Sequence, residues 1–210
     1  MNKAAAEKQG STARLSGFRK AIGEQLTEPI VRLLTRTSVT PNTLTWLGFF
    51  VSAGAAAFII TGHLFAAGFV VLIAGFFDML DGALARHINK TTRFGTVLDA
   101  VLDRFSDAIV LLGILVVYAF IQSFAGIIIT SVALFLSLLV SYVRARAESV
   151  GLECQVGLFT RPERVIVLAL GLLLSRFDYA LIVAVTIIAV FSFITVLQRL
   201  RYVQKQAKIR

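Results

Sequence analysis

Apolar positions in this chain come in long runs, not in the strict alternation of strands or the one-sided stripes of soluble helices. Taken in order, the runs predict an all-α, polytopic membrane protein with six spanning helices over about 43–61, 64–85, 96–120, 122–145, 160–176 and 178–198. Each is near the roughly 20 residues a helix needs to cross the hydrocarbon core. Before them, residues 1–13 are polar and read as a flexible tail. Over 14–40, Leu15, Phe18, Ile22, Leu26, Ile30, Leu33 and Leu34 recur near helical spacing, which predicts an amphipathic helix lying on the bilayer. The first charges are not followed by an apolar stretch with a small-residue cleavage site, so no removable signal peptide is expected. The membrane domain is expected over 41–205.

Composition strengthens this reading. The chain is 57% hydrophobic and only 16% charged, which leaves no room for a soluble domain of ordinary size. The formal net charge of +9 could suggest nucleic acid, but its placement argues otherwise. Seven Lys or Arg precede the first span, Arg86, Lys90 and Arg93 lie between the second and third, and Arg144, Arg146, Arg161 and Arg164 flank the fourth connection. Five more close the chain, all on one side, whereas the opposite side receives only Arg176. By the positive-inside rule both termini and the two longer connections are expected in the cytoplasm, with the bilayer and not nucleic acid as partner. Cys154 lacks a cysteine or histidine partner in sequence and reads as a filler, His63 and His87 as interfacial, and Trp46 as an interface anchor.

Candidate chemistry sits where the second span ends and the third begins. Asp78 and Asp81 are three residues apart on one helix, and Gly95, Asp99, Asp103 and Asp107 are spaced by four on the next, so two acidic faces can meet. Ionised carboxylates at membrane depth cost a few kcal/mol each and repel one another. Arg86 and Arg104 do not balance five acids. A pair of divalent cations would, because hard carboxylate oxygens suit Mg²⁺ or Mn²⁺ and two-metal sites assist phosphoryl displacement. Gly82 and Gly95 would let helices or a ligand approach the backbone closely. Asp107, one turn deeper, reads as a proton path, an outer partner of the site or a packed polar group. Thr91, Thr92 and Thr96 lie at the mouth of the cluster and read equally as helix-start residues.

Written as a pattern, residues 78–103 are D-x-x-D-G-x-x-A-R-x8-G-x3-D-x3-D. All eight fixed positions resemble the signature of the CDP-alcohol phosphotransferase family, and Thr40-Pro41-Asn42-Thr43-Leu44-Thr45 is similar to that family's start of the first span. The resemblance extends over roughly 27–205 and implies a six-helix membrane enzyme whose partners are a second copy in a homodimer and a CDP-lipid such as CDP-diacylglycerol. It implies that Asp78, Asp81, Asp99 and Asp103 hold metal, with Asp103 also the base for an attacking hydroxyl. It places Gly82, Ala85 and Arg86 at the nucleotide, together with Gly95 and Thr92.

The fourth connection carries a cluster of arginines that wants an anion, either an acceptor's phosphate or acidic headgroups. Tyr142-Val143-Arg144-Ala145-Arg146-Ala147-Glu148 and Arg161-Pro162-Glu163-Arg164 resemble the matching segments of prokaryotic phosphatidylinositol-phosphate synthases. By that resemblance Arg144, Arg161, Arg164 and Arg199 contact the phosphate of inositol 1-phosphate. Two departures stand out: a lysine is common at Arg144, and the residue before Arg161 is often acidic where this chain has Thr160. Glycerol 3-phosphate would suit the same arginines, and a divalent-cation transporter could also place aspartates on facing helices.

Overall fold

A computed structural model describes residues 27–35, 37, 39–88, 92–154 and 156–207. The regular structure among these residues is helical, with no strand. Six long elements follow one another: α1 (Pro41–Ile60), α2 (Leu64–His87), α3 (Arg93–Phe120), α4 (Phe124–Ser149), α5 (Arg161–Leu173) and α6 (Ala180–Ala207). A further helical stretch covers 27–34.

Local chemistry sets the starts. Thr40 accepts a hydrogen bond from the Thr43 N–H at 3.3 Å and is followed by Pro41, whose missing N–H costs nothing in a first turn. Thr92 accepts from the Gly95 N–H at 2.9 Å, and Ser123 from the Gly126 N–H at 3.3 Å. At the start of α5 the Thr160 N–H and hydroxyl donate to the Glu163 carboxylate at 2.7 and 2.5 Å, half of a capping box that also places Pro162 in the first turn.

The principal contacts run α1 to α2, α2 to α5, α5 to α6, α6 to α4, α4 to α3 and α3 back to α1, closing a ring. Its apolar core includes Ile59, Val71, Ile114, Leu172, Val185 and Ile188. A second, smaller cluster joins Val31 to Leu44, Leu80 and Leu84, so the 27–34 stretch packs on the end of the bundle that carries the acids. Most of the amphipathic segment expected over 14–40, and the whole 1–13 tail, lie outside the described residues. Outward-facing Phe65, Phe69, Phe124, Phe135 and Phe193 are at least half exposed or nearly so, as suits a lipid solvent rather than water.

Four helices, α1, α2, α4 and α6, are long and apolar enough to cross a membrane. The other two expected spans differ for physical reasons. α3 has 28 residues, but Asp99, Asp103, Arg104 and Asp107 interrupt its first half. α5 has only 13 residues, on the order of 20 Å of helix against a hydrocarbon core of roughly 30 Å. The small-residue face Ser52 to Ala57 is used within the chain: Ser52, Ala55 and Ala56 are buried, and a Cβ on Gly113 of α3 would lie 3.2 Å from the Ala56 carbonyl oxygen.

Candidate active site

The end of α2 and the start of α3 bring three of the five acids together. One carboxylate oxygen from each of Asp78, Asp99 and Asp103 lies within 4.8 Å of the others, a separation that small side-chain adjustments would close around one hard cation. Asp81 stands apart from this trio. It is buried at 4% exposure with Oδ2 lacking a hydrogen-bond partner, a costly state for a carboxylate unless a cation or a donor completes it. The donor set therefore fits a divalent metal, with three oxygens grouped and a fourth unsatisfied beside them.

Two cavities meet at this cluster. The first, about 230 Å³, lies between the start of α1, the end of α2 and the start of α3. Gly82, Ala85, Arg86, Thr92 and Gly95 all line it, with Asp81 and Asp99 at its inner wall. Gly95 has a steric reason: a Cβ there would come within 2.9 Å of Thr92 Oγ1 and 3.1 Å of Asn42 Oδ1. Pro41, Asn42 and Thr45 complete the lining. Their similarity to the family's first-span start was visible in sequence, but no apolar or charge pattern marks them as wall residues.

The second cavity, about 490 Å³, opens between α3, α4, α5 and α6. Arg144, Arg161, Arg164 and Arg199 all line it, and it shares Thr96 and Asp99 with the first. The arginines are not equally free. Arg161 pairs with Asp78, with Asp103 at 3.0 Å and with Asp107 at 3.4 Å, while Arg164 Nη2 is 2.8 Å from Asp107 Oδ2. The acids thus gain two cations from α5 that lie far away in sequence, beyond Arg86 and Arg104. Arg104 itself donates to the Ala100 carbonyl oxygen at 2.5 Å and is 3.8 Å from Asp103.

Arg144 lies at the exposed rim, paired with Glu148 at 2.8 Å. Arg199 is buried and donates to the carbonyl oxygens of Val140 and, at 2.9 Å, Val156. It belongs to a row on α6 that clasps the connection before α5: Thr195 accepts from the Phe159 N–H and Gln198 from the Leu158 N–H, both at 3.2 Å, and Gln206 donates to the Glu153 carbonyl oxygen at 3.1 Å. Gly157 permits the close fit, with φ of 143° and space that a Cβ would lose to Thr195 Cγ2 at 2.7 Å. Cys154 is fully buried in this connection, and burial pushes its thiol up from the ordinary range, which agrees with a filler and not a nucleophile.

The sequence of the CDP-alcohol phosphatidyltransferase family matches residues 38–201. The chain belongs to this family. A phosphatidylinositol phosphate synthase from Mycobacterium tuberculosis is 41% identical over 198 residues, covering 91% of each protein. An archaetidylinositol phosphate synthase from Methanothermobacter thermautotrophicus is 36% identical over 196 residues, covering 92% of this chain and 96% of that one. Among solved structures, the M. tuberculosis phosphatidylinositol phosphate synthase with CDP-DAG bound superposes with a TM-score of 0.79 at 40% identity, covering 85% of this chain and 94% of that chain. The same enzyme has also been solved in complex with manganese and citrate. As a CDP-alcohol phosphatidyltransferase this chain is an enzyme, a transferase, and that family membership sets the transporter reading aside.

Proposed function

We propose that this enzyme makes a phosphatidylinositol phosphate, transferring the phosphatidyl group of CDP-diacylglycerol to inositol 1-phosphate with release of CMP. The observation that carries this reading is the meeting of two differently lined cavities at one carboxylate cluster: motif glycines and Arg86 on one side, four arginines on the other. Relatives named for inositol phosphate acceptors, one bacterial and one archaeal, support the acceptor.

In this reading Gly82 and Gly95 let the nucleotide approach backbone, and Arg86 at the cavity mouth pairs with the diphosphate. Asp78, Asp81, Asp99 and Asp103 would hold Mg²⁺ or Mn²⁺, two ions in all, whose charge stabilises the diphosphate and the departing CMP. The acceptor enters the larger cavity, where Arg144, Arg161 and Arg164 meet its phosphate and Arg199 adds charge to the wall it braces. Asp103 faces that cavity and takes the proton of the attacking hydroxyl at a carboxylate oxygen. Burial in a charged pocket holds hydroxyl and phosphorus in line, which lowers the entropic part of the barrier.

The proposal extends to topology. Six helices cross or enter the membrane, α3 and α5 with their polar ends at the site, and an amphipathic helix within 14–40 lies on the same face. The membrane domain covers 41–205 behind a tail over 1–13. Both termini and the active site are cytoplasmic, as the distribution of Lys and Arg supports. The working form is a homodimer in the cell membrane.

The test is CMP release by purified protein given CDP-diacylglycerol, Mg²⁺ or Mn²⁺ and, separately, inositol 1-phosphate, glycerol 3-phosphate, free inositol or serine, with the product lipid identified. Turnover with inositol 1-phosphate alone is expected. Turnover with glycerol 3-phosphate instead would make the enzyme a phosphatidylglycerol-phosphate synthase and overturn the acceptor.

A further inference from the structure

Asp107 lies one helical turn beyond Asp103 on α3, outside the eight-position motif and outside the trio of grouped carboxylates. Its side chain is only 15% exposed, yet both oxygens are engaged, each by a different arginine. Oδ1 accepts from Arg161 Nε at 3.4 Å, and Oδ2 accepts from Arg164 Nη2 at 2.8 Å. Arg161 and Arg164 are three residues apart in the first turns of α5, so their guanidiniums are neighbours. Two like charges in a partly dry pocket repel, and a carboxylate between them is the smallest arrangement that neutralises one while fixing both.

Arg161 has a second attachment at its other end. Nη1 reaches Asp78 and Asp103, the same carboxylates that fit a divalent cation. Cation and guanidinium compete for those oxygens. Once a cation holds them, Asp107 is the acidic partner that Arg161 keeps, through Nε, leaving its terminal N–H groups uncommitted. Arg164 is 5% exposed and its Nε has no partner, so its buried charge is also incompletely satisfied by protein. All three residues line the larger cavity.

We propose that Asp107 is a positioning residue for acceptor recognition, anchoring Arg161 by Nε and Arg164 by Nη2 so that their remaining N–H groups meet the acceptor phosphate when cations occupy Asp78 and Asp103. This rests on the reading of the larger cavity as the site of a phosphorylated acceptor. Without Asp107, Arg161 keeps only the metal-binding carboxylates as partners and crowds the cation site. Loss of the anchor therefore has two signatures, a selective loss of acceptor affinity and a weaker hold on metal.

The experiment compares wild type with Asp107→Asn in detergent. Expected is a rise of about tenfold or more in KM for inositol 1-phosphate, with KM for CDP-diacylglycerol moving less than about twofold. Mn²⁺ affinity, read by titration calorimetry without substrate, should fall several-fold. Equal rises in both KM values, or unchanged acceptor KM with unchanged Mn²⁺ affinity, would overturn the proposal. Because Asp107 acts through both arginines, Asp107→Asn should raise acceptor KM by a clearly smaller factor in an Arg161→Gln background than in wild type, with the Arg164 anchor accounting for what remains; full additivity would also overturn it. If Asp107→Asn does not fold, Asp107→Glu decides: a selective rise in acceptor KM supports the anchor, and a rise shared by both substrates refutes it. Wild type that uses no phosphorylated acceptor would instead sink the synthase reading, while the Mn²⁺ titration would still judge whether Asp107 restrains Arg161.

Discussion

The two cavities flanking the aspartates are built in different ways. The smaller takes its lining from two short stretches, 41–45 and 81–99, and its shape depends on glycines and on the Thr92 cap. The larger draws on α3, α4, α5 and α6, and its buried arginines are held by partners more than 40 residues away, such as Asp107 for Arg164 and Val156 for Arg199. In the proposed function the first kind of construction would hold the nucleotide part of the CDP-lipid. The second would hold the acceptor, where a change on one helix can retune recognition without touching the motif.

Several substitutions would break or sharpen this contrast. Asp103→Asn, at the boundary, should lower kcat by roughly a thousandfold or more with folding retained, since a positioned base contributes about 10²–10⁴; near-normal CMP release would remove Asp103 as the base. Arg161→Ala should raise KM for the phosphorylated acceptor by ~10–100-fold and that for CDP-lipid much less, the selectivity of a lost phosphate contact. Steady-state kinetics with each substrate varied would show an equal effect if the cavities were not distinct. Gly95→Ala should do the reverse by about tenfold, because its Cβ would crowd Thr92 and Asn42 in the smaller cavity, where the proposed function puts the nucleotide. The smallest effect is expected for Arg144→Ala: its pair with Glu148 is exposed, so melting in detergent should shift little and acceptor KM should rise only about two- to fivefold.

The same contrast explains what could be read in the sequence. Spacing put Asp78 with Asp81 on one helix and Asp99 with Asp103 on the next, because helical periodicity converts sequence distance into a shared face; that Asp78 and not Asp81 joins the second pair depends on how α2 packs against α3. The same periodicity grouped Asp107 with them as a stripe but could not name Arg161 and Arg164 as its partners, since those contacts depend on how α5 packs against the ring. Arg199 was legible as a cation near the site, yet its engagement with two backbone carbonyls was not, because carbonyl acceptors leave no mark in side-chain pattern. Hydropathy found α5 but overstated its length, treating the apolar stretch up to 176 as helix where the chain turns after Leu173.

The clasp between α6 and the connection before α5 has a consequence for hydrogen exchange and for handling the protein. Amides of Leu158 and Phe159 are held by side chains of α6, so they should exchange in step with the last turns of that helix as one cooperative unit, not as a loose loop. Fraying of the chain's C-terminal end, by truncation before Arg199 or by a bulky tag packed against Gln206, would then be felt as slack in the wall of the larger cavity.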